Sequence, residues 1–163
     1  MNYQKLFTMQ KGLDQHIESQ HQLEKEDLFD RKILALLVEL GELANETRCF
    51  KFWSLKQASE RKIILEEYVD GIHFILSLGL ECEFEREEDY RANIQKAESV
   101  NDQFLLIYAL TSKFRVSKSL QDYKILFQAY LHLGEQLGFH SEETEQAYFD
   151  KNEVNYQRQQ EGY

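Results

Sequence analysis

Proline is missing altogether from this chain of 163 residues, glycine occurs 7 times and cysteine twice. Proline is excluded from helix interiors and favoured in turns and at sheet edges, so its absence points to long helices joined by few connections. Cys49 and Cys82 have neither metal-binding nor redox spacing, and two cysteines are too few for a disulfide framework. No window approaches the roughly 18 consecutive apolar residues of a membrane span. The opening MNYQKLFTMQ lacks the charged and apolar regions of a secretory signal, so a cytoplasmic protein without membrane attachment is expected. Basic runs are also scarce. A formal net charge of -10 repels nucleic-acid polymers and anionic membrane surfaces. An acidic chain can still hold a phosphorylated small molecule if metal ions sit between the two.

What is present suits one domain, residues 1–163, with a real core: 42% hydrophobic and 29% charged residues are ordinary for a globular chain. Apolar residues recur at helical spacing throughout, and no alternating strand pattern or internal repeat interrupts them. About six helices are expected. The first runs from Tyr3 to Ser19, on Leu6, Met9, Leu13 and Ile17. The second is capped at Asp27 and runs to Thr47. The third starts from a Ser54–Gln57 capping box and runs to Leu80. The others cover Tyr90 to Phe114, Leu120 to Leu137 (stopped by Gly138) and Ser141 to Gln160. The expected fold class is all-α, a compact helical bundle.

Two groups of carboxylates stand out. Glu39, Glu42 and Glu46 follow i, i+3 and i+7, so they share one helix face beside the apolar arc of Leu36, Leu37, Leu40 and Leu43. Glu67 and Asp70 repeat the i, i+3 spacing, and Glu67 falls inside the apolar stripe of Ile63, Ile64 and Phe74. Four carboxylates about 5 Å apart repel by roughly 3 kcal/mol per pair at an effective dielectric of about 20. No lysine or arginine at matching positions on these two helices neutralises them. Hard divalent cations with oxygen ligands would, and Mg²⁺ suits carboxylates combined with substrate phosphates. Two such helices face to face could hold two or more ions, activate a water and clamp a phosphoanhydride. Taken alone, Glu39 and Glu42 read first as a solvated face, and a buried salt bridge to an arginine elsewhere is the alternative for Glu67.

Glu39, Glu42, Asn45 and Glu46, then Phe50, Lys51 and Trp53, then Glu67 and Asp70, form the pattern ExxE, N and E, FKxW, ExxD. This pattern resembles the all-alpha nucleotide pyrophosphatases, and within them the dimeric dUTP diphosphatases. MQKGLDQHI (Met9 to Ile17) is similar to that family's N-terminal segment at the uracil edge. YFDKNEVNYQRQQEGY is similar to its C-terminal phosphate-binding motif. The stretch from Glu81 to Thr144 adds little.

The resemblance implies hydrolysis of dUTP to dUMP and pyrophosphate, with dUDP as a further substrate. Glu39, Glu42, Glu67 and Asp70 would ligate magnesium, and a carboxylate of the Glu39–Glu42 pair would position or deprotonate the attacking water. Gln10 and Asp14 would meet the uracil, Trp53 would offer a stacking face, and Asn45, Glu46 and Lys51 belong to the matched pattern. His73, one turn beyond Asp70, would touch the sugar or else be a satisfied core histidine. Lys151, Asn155 and Arg158 fall on one face of the last helix and would hold the β and γ phosphates, with Tyr163 closing over the nucleotide. A homodimer with shared sites is implied, for which the aromatic-rich helices from Phe104 to Phe139 are the expected interface. Some family members carry asparagine at the position of Asp14, so a broader pyrophosphatase acting on dCTP or modified nucleotides stays open. So does a non-enzymatic helical interaction protein.

Overall fold

The computed structural model describes residues 1–162, and Tyr163 lies outside them. Six helices and no strand are formed among the described residues: α1 Tyr3–His21, α2 Phe29–Thr47, α3 Arg61–Glu81, α4 Val100–Ser117, α5 Leu120–Gln136 and α6 Ser141–Gln160. The all-α class and the number of helices expected from the sequence are those observed. No helix among the described residues is long and apolar enough to cross a membrane.

The hydrophobicity of α3 explains the arrangement. Ten of its residues, among them Val69, Ile72, Ile75, Leu76 and Leu78, are buried all round the helix, so it must be surrounded. It packs against α1, α2, α5 and α6, while α4 packs on α2 and α5. Tyr68 and Tyr130 lock α3 to α5: the rings stack with centroids 5.0 Å apart. The Tyr130 hydroxyl donates to the Tyr68 carbonyl at 2.8 Å, and the Tyr68 hydroxyl returns a bond to the Tyr130 carbonyl at 3.3 Å. Each hydroxyl lies where a glycine leaves room, Tyr130 over Gly71 and Tyr68 over Gly134, and a Cβ at either glycine would collide with it. This lock lies one residue from Asp70 and fixes the helix that carries it.

Two local expectations need correction. Residues 54–60 are not helical, and α3 starts at Arg61. The Ser54 hydroxyl, expected to cap a helix, accepts from Arg48 Nη2 at 2.6 Å and from the Lys56 amide at 3.3 Å. Ser59 then ties the segment to the end of α2, its amide bonding the Glu46 carbonyl at 3.0 Å and its hydroxyl bonding the Glu46 carboxylate. Residues 90–99 are also a connection. The Tyr90 hydroxyl donates to the Phe84 carbonyl at 2.6 Å, and Ser99, accepting from the Asp102 amide, caps α4 only at Val100. In the stretch from Phe104 to Phe139, Phe104, Ile107, Phe114, Tyr123, Phe127, Tyr130, Leu133 and Phe139 all enter the chain's own core. Leu105 and Val116 are what α4 leaves exposed, with Leu34 and Val38 exposed on α2.

Candidate functional site

The packing of α2 on α3 brings the two carboxylate pairs to one place. One carboxylate oxygen from each of Glu39, Glu67 and Asp70 lies within 4.8 Å of the others, all three side chains half-buried. Glu42 is more exposed and stands outside this closest group, yet near enough to act electrostatically on both Glu39 and Glu67. Burial first, then the charges of Asp70, Glu42 and Glu67, push the Glu39 carboxyl up from 4.5 to about 7. Glu67 is raised by burial and then by Asp70 and Glu42. Asp70 is raised by burial despite a 2.6 Å ion pair with Lys151 that pulls the other way.

No base on α2 or α3 meets the cluster, as the helical spacing predicted; the lysine that does meet it comes from α6. Against the four carboxylates stand Lys151 and, acting on Asp70 as well, Arg158; the negative excess adds to burial in raising Glu39 and Glu67. An all-oxygen donor set with that excess fits a hard divalent cation, the chemistry expected of Mg²⁺.

Beside Asp70 opens a cavity of about 180 Å³ between α1, α3 and α6, with Gln10, Asp14, His73 and Asn155 in its wall together with Leu13 and Phe74. Gln10 and His73 are buried, 3% and 5% exposed. The His73 ring stacks on Tyr148 with centroids 4.2 Å apart, and its Nδ1 meets Gln10 Oε1 at 2.8 Å. Burial, with a smaller push from Lys151, lowers His73 to about 3, so the ring is neutral. Gln10 Nε2 donates to Asp14 Oδ1 at 2.7 Å. Asp14 Oδ2 receives the Ser77 hydroxyl at 2.5 Å and lies 3.5 Å from Lys32 Nζ. A second, larger groove of about 550 Å³ between α3 and α6 is lined by Lys151 and Arg158 among others.

Of the remaining sequence candidates, Glu46 anchors the connection after α2, as described above. Asn45 is exposed on α2. Lys51 sits over the Phe50 ring, 5.4 Å from its centroid. Trp53 is 64% exposed and packs edge-on against Phe52 and Phe50. The contacts of Lys51 and Trp53 thus lie within their own segment. Tyr163 lies outside the described residues. Sequence reasoning missed Lys32, Ser77 and Tyr148. Ser77, four residues after His73 and seven after Asp70, carries the one recoverable signal, a polar residue on the functional face of an apolar helix.

Compared with protein-family models, residues 2–163 match one described as dUTPase. No curated protein matches the chain.

Proposed function

The chain belongs to the all-alpha dUTPase family, and on that premise we propose that it hydrolyses dUTP to dUMP and pyrophosphate at the Glu39, Glu42, Glu67 and Asp70 cluster, with two or more magnesium ions. Membership makes the chain a dUTP diphosphatase and removes the non-enzymatic reading. The convergence of Glu39, Glu67 and Asp70 within 4.8 Å is the observation that carries the proposal. Glu39, Glu67 and Asp70, with Glu42 beside them, would hold the magnesium, which would supply charge neutralisation of the carboxylates and phosphate oxygens and Lewis-acid polarisation.

The chain's own groups do the rest. Glu42, at the exposed rim, orients the attacking water with Glu39 and takes its proton. The water oxygen bonds to the α phosphorus, the α–β bridging bond breaks and pyrophosphate leaves. An ammonium has three donors, so Lys151 keeps one on Asp70 and has two for the β and γ phosphates. Arg158, seven residues on along α6, lines the same groove and joins it. The cavity holding Gln10, Asp14, His73 and Asn155 lies against Asp70 and suits the base and sugar, its walls apolar with a few placed polar groups.

The exposed Phe52, Trp53 and Leu55 support a homodimer in which this segment, with Lys51 and the neighbouring Asn45 and Glu46, completes a shared site, Trp53 stacking on the base. Tyr163 closes the nucleotide from the C-terminus. We take residues 1–163 as one domain and the enzyme as cytoplasmic.

The test is a panel of dUTP, dUDP, dCTP and dTTP with the purified protein, assayed for pyrophosphate or phosphate release with and without magnesium. Magnesium-dependent pyrophosphate release from dUTP, far faster than from dTTP or dCTP, is expected. Equal rates across the triphosphates would reject uracil preference, and turnover without divalent metal would reject the role given to the cluster.

A further inference from the structure

Between α2 and α3 the usual burial pattern is inverted. Phe52 and Leu55 are 94% and 98% exposed and Trp53 64%, whereas Ser54 and Ser59 of the same segment are half-buried. A loose chain would fold three large apolar side chains onto the nearest apolar surface. Residues 54–60 belong to no helix or strand, so side-chain bonds decide their path, and those bonds converge on Arg48. Arg48 ends α2 in the left-handed region, with φ 57°. Glycine is the usual residue at such a helix end; an arginine there carries a backbone cost that glycine avoids, and its side chain offsets it. The guanidinium reaches forward, Nη2 donating to the Ser54 hydroxyl at 2.6 Å and Nε to the Lys56 carbonyl at 3.0 Å. The Ser54 hydroxyl also accepts from the Lys56 amide at 3.3 Å. One planar fork thus ties residues 54 and 56 to the end of α2, with Trp53 displayed beside the tied serine, and Ser59 pins the far end of the segment to Glu46.

We propose that Arg48 is a positioning residue for the nucleotide: its fork holds the 50–56 segment so that Trp53 stands out from the body, and dUTP meets a preset ring instead of having to order a loose loop on binding. The proposal rests on the base-stacking role given to Trp53 above and adds what prepares it. Arg48 acts through Ser54 and Lys56, not by touching the substrate. Its charge alone does not suffice, since a lysine keeps the charge but has no planar fork to reach a hydroxyl and a carbonyl together.

Arg48→Lys and Ser54→Ala test this, the first keeping the charge and the second leaving Arg48 in place. Trp53 is the only tryptophan of the chain, so the time-resolved anisotropy of its emission reads the segment without nucleotide. In the wild type the decay should follow overall tumbling. In both variants a fast component of local motion should appear, with thermal melting little changed. KM for dUTP should rise about tenfold in Arg48→Lys, the worth of one hydrogen bond to a charged group. With kcat held within about twofold, that is the pattern of lost ground-state binding. Ser54→Ala should move KM in the same direction by less. An anisotropy decay unchanged in both folded variants, or a wild-type KM in Arg48→Lys, overturns the proposal. Trp53→Ala separates it from the reading it rests on. Adding Arg48→Lys to Trp53→Ala should raise KM no further, and a further rise overturns the proposal alone. If Trp53→Ala by itself leaves KM unchanged, the base-stacking role falls and the proposal with it.

Discussion

Replacing Glu39 by glutamine should stabilise the metal-free protein, the opposite of the usual result for a half-buried side chain. Its carboxyl rises from 4.5 to about 7 on folding, chiefly by burial and then by Asp70, Glu42 and Glu67. At about 1.36 kcal/mol per pH unit that rise corresponds to roughly 3 kcal/mol. Glu39 is half-buried, and discounting for solvent screening leaves about 1–2 kcal/mol. The sign follows from the folded state binding the proton more tightly than the unfolded one. Stability therefore falls as pH rises from 4.5 to 7, and the full penalty applies above 7. Glutamine is uncharged and escapes it. In chelator at pH 8, Glu39→Gln should melt roughly 2–8 °C above the wild type by circular dichroism, shrinking to a small fraction of that near pH 5. With magnesium at a hundredfold excess over Kd the order should reverse, since the wild type gains about 2.7 kcal/mol by mass action and the variant has lost a ligand. A variant less stable than the wild type at pH 8 in chelator, or a difference independent of pH, refutes the reasoning.

Lys151→Met should reduce kcat/KM for dUTP by about 10–100-fold, the worth of a hydrogen bond to a charged group. Because Lys151 lowers both Asp70 and Glu39, its removal should also move the acid limb of the kcat/KM profile to higher pH; an unshifted limb argues against the coupling. Gly71→Ala sets a methyl against the Tyr130 hydroxyl and should cost about 1–3 kcal/mol in urea unfolding, while Gly138→Ala, whose Cβ meets nothing within 4 Å, should show only the strain of its positive φ. Trp53 is the lone tryptophan, so the intrinsic emission reports it directly. Binding of dUTP with magnesium should shift that emission to the blue, and an unchanged spectrum removes Trp53 from the base site.

Glu67 was legible because helical spacing puts it in an apolar stripe where solvation fails, and α2 packs on α3 so that Glu39 joins it and Asp70. Glu42 was legible as a neighbour, but its position outside the closest trio depends on how far α2 is rotated, which spacing does not determine. The late start of α3 was hidden because Ser54 finds a tertiary partner in Arg48, and a cap motif cannot reveal which amide its hydroxyl will meet. Likewise 90–99 contains no glycine or proline to mark it as a connection. Its conformation is set by Tyr90 burying its ring beside Phe7 and Tyr3. Lys151 was expected to meet phosphate, whereas its bond to Asp70 depends on the docking of α6 against α3, a contact between residues 81 positions apart. The network of Lys32, Asp14, Ser77, Gln10 and Tyr148 joins four helices, so no local pattern announces it.

Divalent-cation binding at the junction of α2 and α3, measured without nucleotide, tests the role of the carboxylate cluster most directly. Titration of Mn²⁺, read by loss of the free-ion electron paramagnetic resonance signal, should give saturable binding to the wild type and at least tenfold weaker binding to Glu67→Ala, with magnesium competing. Equal Mn²⁺ affinity in the two proteins, both shown to be folded, would contradict it.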